Sequence, residues 1–343
     1  MIPAAFALVG DDPAARDHQS REENNFGAEA SAVNQAVIKT LGPKLVDVEL
    51  RLSLMDQAGI DHQLVSPSPV HYYEWADEDK AILLSRAVND GMAQLVSAEP
   101  RRLTGLGVVP LRYPDRAVQE LRRAVEELEL AGVEIPTTGG DFELSSPLLD
   151  PFWQEAEDLG ALIFLHPWGC TLGTRLDRYY LANTVGQPVE TAVALSHLIF
   201  SGVLDRHPRL KILAAHGGGY LPTYIGRSDH AWHVRPDART CTRRPSDYLR
   251  DIYYDSLVYD SDALHTLLDR VGPERVLMGS DYPFDMGVDD PVSRIDAAAL
   301  TPEIARDIKG RTAAGLLRRR PASMHRPRQA PTADQGASYA EPR

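Results

Sequence analysis

Cysteine is scarce in this 343-residue chain: Cys170 and Cys241 are the only two, far apart and outside any C-x-x-C pair. Neither a disulfide framework nor a cysteine-based zinc site is expected from them. No run of 18 apolar residues occurs, and no basic-then-apolar leader follows Met1. The chain is therefore expected to be cytoplasmic, with no membrane as a partner. Basic residues are outnumbered, 36 against 49 acidic, for a net charge of -13. Such a surface argues against nucleic acid as a partner and leaves a small molecule open. No G-x-G-x-x-G follows an early strand, so the usual dinucleotide loop is missing. No solenoid-type repeat is visible either.

What the chain does have is a recurring alternation. Short apolar runs lie at 63–65, 103–109, 132–135, 161–165, 210–214, 252–254 and 275–278, each bounded by Gly, Pro or polar residues. Runs of this kind suit buried parallel strands. Amphipathic helices are predicted between them, over 117–130, over 150–159 with an Asp-Pro start and Gly160 as its stop, and over 190–204. Alternating strand and helix imply a parallel sheet, closed into a barrel or doubly wound. Polar residues at the ends of several strands favour the (β/α)8 TIM-type barrel, whose site lies at its C-terminal face. Seven candidate strands leave that barrel one short. The domain is expected over 1–317, with a polar, unpatterned excursion at about 11–44, most marked over 11–36. A disordered tail rich in Pro, Ala and Arg is expected over 318–343.

Four strand ends carry candidate chemistry. His166 follows LIFL and precedes Pro167; it is either a metal ligand or a buried histidine bonded to a carbonyl. His216 opens His-Gly-Gly-Gly after KILAA. It reads as a general acid or base, or as incidental to a glycine turn. The N–H groups of those glycines could also form an anion-binding concavity. Asp281 follows VLMGS and could ligate a metal, hold a proton, or cap a short helix. Asp255 is as suited to supporting a ligand from behind as to touching a metal itself. Arg227 is either a bidentate clamp for a carboxylate or a surface charge. The remaining histidines, among them His71, His197 and His207, show no metal-like spacing.

Taken in order, LHPW (165–168), LKILAAHGGGYLPTYIGRSDHAW (210–232), YDSLVYD (254–260) and RVLMGSDYPF (275–284) resemble one family. It is the amidohydrolase-related (amidohydrolase 2) decarboxylase family, which includes α-amino-β-carboxymuconate-ε-semialdehyde decarboxylase and the resorcylate decarboxylases. The resemblance extends back through RLSLMDQAGIDHQLVSPSP (51–69) and covers roughly residues 45 to 318; the ordered set is far more specific than any one motif. It implies a (β/α)8 barrel with His166 and Asp281 as metal ligands and His216 as the acid/base. It also implies that Arg227 reaches into the partner's site of a homodimer to hold a substrate carboxylate. Trp168, Tyr179, Tyr180 and Asn183 are expected to line the pocket.

Two departures stand out. Family members begin with a strand ending in His-x-His, and none of the 11 histidines here forms that motif. The chain is therefore expected to begin one strand late, through a misassigned start site or, less favoured, as an inactive truncation. With His166 and Asp281 alone it falls short of the three protein ligands usual for catalytic zinc. The second departure is Gly27, where the semialdehyde decarboxylases carry an arginine. The expected activity is decarboxylation of an aromatic or unsaturated carboxylic acid, using Zn2+ or else Mn2+ or Mg2+. A hydrolase acting on a lactone, ester or amide, and an inactive barrel with a binding or regulatory role, are the alternatives.

Overall fold

A computed structural model describes residues 3–317 of the chain. The predicted tail at 318–343 lies outside the described residues. Four helices come first: α1 (Pro3–Val9), α2 (Pro13–Phe26), α3 (Ala28–Val46) and α4 (Val48–Ala58). Then follow β1 (Gln63–Val65), α5 (Glu78–Ser97), β2 (Leu103–Gly105), β3 (Gly107–Val108), α6 (Pro114–Glu126) and β4 (Gly132–Ile135). The middle of the chain adds α7 (Asp150–Leu159), β5 (Leu162–Leu165), α8 (Gln187–Phe200), α9 (Val203–Arg206) and β6 (Lys211–Ala214). Next come α10 (Leu221–Tyr224), α11 (Gly226–Val234), β7 (Tyr253–Asp255), α12 (Ser261–Val271) and β8 (Val276–Leu277). The described chain closes with α13 (Pro291–Ala297), α14 (Pro302–Arg306) and α15 (Thr312–Leu316).

Every strand pairing is parallel, and the order follows the sequence: β1–β2 in one sheet, β3–β4–β5–β6–β7–β8 in the other. The division between the sheets is slight. The run 103–108 pairs with β1 on one side, where Leu106 N–H donates to the Val65 carbonyl at 2.9 Å. On its other side Ala131 N–H donates to Gly105 at 2.9 Å. The seven runs expected from sequence thus form seven successive positions of one curled wall. Leu106, Leu162, Leu213 and Leu277 pack together on its inner face with Leu316 of α15. This is a TIM-type barrel wall, open between β1 and β8 among the described residues.

Local sequence explains most helix ends. Pro151 sits in the first turn of α7, and Gly160 ends it at φ 62°, a left-handed cap that glycine adopts without a Cβ penalty. The helix predicted over 117–130 is shifted: α6 begins at Pro114, whose fixed φ suits a first turn. It ends before Glu129, which turns left-handed at φ 57°. The excursion over 11–36 is not unpatterned but helical. The Asp12 side chain accepts from Ala14 N–H and Pro13 opens α2, a complete start signal. Its helicity comes from capping and propensity, not from an apolar stripe: α2 buries only Phe26 and α3 only Leu41. Among the described residues no helix is long and apolar enough to cross a membrane.

Candidate metal centre

The parallel ladder brings three sequence-distant side chains to one end of the barrel. His166 directly follows β5, and its N–H donates to the Ile135 carbonyl of β4 at 3.0 Å. His216 lies two residues past β6, and Asp281 four past β8. Each enters from a strand C-terminus, the end where a barrel's loops gather functional groups. The His166 and His216 rings stand edge to face, 5.0 Å between centroids. One ligand atom from each of His166, His216 and Asp281 lies within 4.8 Å of the others. His216, expected only as an acid/base, is therefore also within ligand reach.

Backbone strain concentrates here. His216 has φ 54° and Asp281 φ 52°, a region that costs non-glycine residues about 1–3 kcal/mol and persists where surroundings over-determine it. At His216 the surroundings can be named. Asp255 at the end of β7 accepts from His216 N–H at 2.8 Å, and from Gly217 and Leu257 N–H at 3.0 Å each. The anion in the expected glycine concavity is thus the protein's own carboxylate. Gly218 and Gly219 N–H groups are also taken, by the Ala215 and His216 carbonyls, so no donor of that turn is left for a ligand. Asp255 holds the turn through its main chain. A Cβ at Gly217 would come within 2.4 Å of Val258, and one at Gly219 within 2.2 Å of the Pro188 carbonyl. Three glycines follow His216 because the turn passes through a packed wall.

Burial, with His216 nearby, holds the His166 imidazole well below its ordinary pKa and so neutral. Burial likewise raises the Asp281 carboxyl to about 6; His216 pulls it down and Asp255 and Asp285 push it up. His166 Nδ1 is buried without a hydrogen-bond partner. An orphaned neutral imidazole nitrogen, a second imidazole and a carboxylate at this spacing fit a divalent cation.

The site opens into a cavity of about 1220 Å³. That exceeds the ~300–1,000 Å³ usual for small-molecule sites, because the cavity runs on between the β1 and β8 edges to Leu64, Leu213 and Leu316. Trp168, Tyr180 and Asn183 line it. Tyr179 does not: it is 80% exposed. Consecutive left-handed residues at 179 and 180 send one ring outward and the other in. Arg227 is exposed on α11 and lies outside this chain's cavity wall. Phe26 of α2 covers the site, 6.0 Å from Trp168 and 6.5 Å from Tyr180 between ring centroids. At Gly27 a Cβ would fall 1.8 Å from the Asp177 carbonyl oxygen, so no side chain fits there. Sequence reading passed over Glu134, which lines the cavity from β4. Its signal was a single carboxylate inside the apolar run Gly-Val-Glu-Ile.

The family described as Amidohydrolase matches residues 36–319. The 2-amino-3-carboxymuconate-6-semialdehyde decarboxylase of Dictyostelium discoideum is 39% identical over 243 residues, covering 70% of this chain and 68% of that one. The γ-resorcylate decarboxylase of Rhodococcus jostii is 32% identical over 295 residues, covering 81% and 89%. Among solved structures, a dihydroxybenzoic acid decarboxylase from Polaromonas sp. JS666 contains manganese and the inhibitor 2-nitroresorcinol. It superposes with a TM-score of 0.71 at 26% identity, covering 78% of this chain and 84% of that one.

Proposed function

The chain belongs to the amidohydrolase family, and from that premise we propose that it is a carboxy-lyase that decarboxylates an aromatic carboxylic acid with the help of a divalent cation. The observation that carries this reading is the convergence of His166, His216 and Asp281 donor atoms within 4.8 Å of one another. His166 and Asp281 would hold the cation. Zinc is the proposed ion, with manganese, present in the Polaromonas relative, and magnesium as alternatives. Such an ion supplies a Lewis acid that polarises a substrate oxygen.

The protein's own residues do the rest. Decarboxylation adds one proton to the carbon that loses its carboxylate, and carbon dioxide leaves. His216, held over the site by Asp255, is positioned to deliver that proton from a ring nitrogen. Trp168, Tyr180 and Phe26 form an aromatic wall against which a flat acid can lie. The excluded side chain at Gly27 sets this site apart from the semialdehyde decarboxylases, so a phenolic acid is favoured over the semialdehyde. The test is incubation with γ-resorcylate and Mn2+ or Zn2+, following carbon dioxide and resorcinol release. Metal-dependent turnover lost in His166→Ala supports the reading; hydrolysis of a lactone or ester panel without carbon dioxide release overturns it.

We also propose a homodimer in which Arg227 holds the substrate carboxylate in the partner's site. Arg227 is exposed, and Tyr224 beside it is 67% exposed, which suits a surface awaiting a second copy. Size-exclusion with light scattering, on the wild type and Arg227→Ala, tests it: a monodisperse, fully active monomer refutes the arrangement.

A further inference from the structure

Tyr72, in the loop after β1, is buried, and its hydroxyl oxygen lies 2.6 Å from Glu134 Oε1 and 3.0 Å from the His166 carbonyl oxygen. A phenol has one hydrogen to give. A carbonyl can only accept, and an ionised Glu134 can only accept as well. With Glu134 ionised, one of these two short contacts would be oxygen against oxygen with no proton between. With Glu134 as the acid, its O–H donates to the Tyr72 oxygen and Tyr72 donates to His166, so both contacts are satisfied. We propose that Glu134 is a positioning residue for His166 that works as a carboxylic acid, acting through the Tyr72 hydroxyl on the His166 carbonyl. This deepens the metal-centre reading and rests on it.

The surroundings agree with the proton count. Glu134 is 1% exposed, and a buried carboxylate without a cation is costly. Among the described residues the groups facing it are Ser66 and Tyr72 from the loop after β1 and Asp281 from the loop after β8, with no basic side chain among them. Burial is the main cause that raises its carboxyl to about 8, with Asp281 adding to the rise. Hydrogen bonding with Ser66 and Tyr72 opposes it. Two main-chain bonds hold His166: its N–H to Ile135 and its carbonyl from Tyr72.

Two measurements on the full chain test this, and neither needs turnover. Well below pH 8, the infrared difference between wild type and Glu134→Gln should contain the C=O band of a buried carboxylic acid, lost on alkalinisation. In Mn2+ titrations, Glu134→Leu should weaken binding by about 10–100-fold, the range for groups that orient a metal ligand. Glu134→Gln, whose amide N–H can donate to Tyr72, should restore it. Tyr72→Phe, read beside its melting temperature, gives a second arm should Glu134→Leu fail to fold, and it should weaken Mn2+ binding as well. No acid band, or Mn2+ binding as tight in Tyr72→Phe or Glu134→Leu as in wild type, overturns the proposal. So does a Glu134→Gln as weak as Glu134→Leu. Failure of the decarboxylation assay would leave these readouts standing, and their failure would leave the decarboxylase reading untouched.

Discussion

Strands β4 to β8 and helices α2 to α4 border the same cavity and are held in place by different forces. Along β4–β5–β6, four-residue strands pair over their whole length, and Ile163 and Ile212 of these strands are buried almost completely, as is Leu195 of α8. The main chain there has few alternative placements, so side chains at the strand ends are delivered to fixed positions. Helices α2 and α3 cover 33 residues between Pro13 and Val46 yet bury only Phe26 and Leu41. Their contact with the barrel is a thin aromatic and aliphatic seam, and beneath it the cavity stays open. A ladder fixes where chemistry sits; a lightly buried helical cover shapes what can enter.

The comparison breaks first at the centre. His216→Asn should lower kcat by about 100- to 10,000-fold, the range for losing a general acid, while Mn2+ affinity, measured by titration, stays near wild type. A collapse of Mn2+ binding instead would make His216 a ligand first and a proton donor second. Asp255→Asn comes next. It leaves at least one of three main-chain N–H groups facing an amide NH2, donor against donor, and kcat/KM should fall by about 10–100-fold with little change in KM.

Two smaller effects sharpen the contrast between cover and wall. Leu195→Ala on α8, fully buried, should cost about 2–5 kcal/mol in urea unfolding; Leu41→Ala on α3 should fall at or below the bottom of that range. Amides of α3 should exchange faster than those of β5 by the same logic. Equal losses and equal protection would mean the cover is as integral as the ladder. The last effect is set by pH. The Glu134 carboxyl is raised in the fold from 4.5 to about 8, so its contribution to stability is fully present below pH 4.5 and is lost as pH rises toward 8. Glu134→Gln does not titrate. Its melting temperature relative to wild type should therefore climb between pH 5 and 8; a constant difference would contradict the raised carboxyl.

The strand runs, the α7 boundaries and the placement of His166, His216 and Asp281 at strand ends were all legible in sequence, because each depends on short-range patterning. An apolar run bounded by breakers makes a buried strand, and a polar residue just past it must surface at the strand's end. The ordered motifs carried the family, since their joint spacing reflects one barrel. What the linear chain could not tell was which groups meet. The helicity of 13–26 is set by its cap and weak packing and has no apolar stripe to read. Asp255 fills the glycine concavity because β7 lies beside β6, a neighbour relation some 40 residues apart in sequence. Tyr179 and Tyr180 look equivalent until the left-handed turn sends one ring to solvent. Glu134 becomes a candidate acid only when the curled wall turns its side chain inward toward Tyr72 and Asp281 and removes it from water, since the protonation state of a carboxyl is decided by its surroundings.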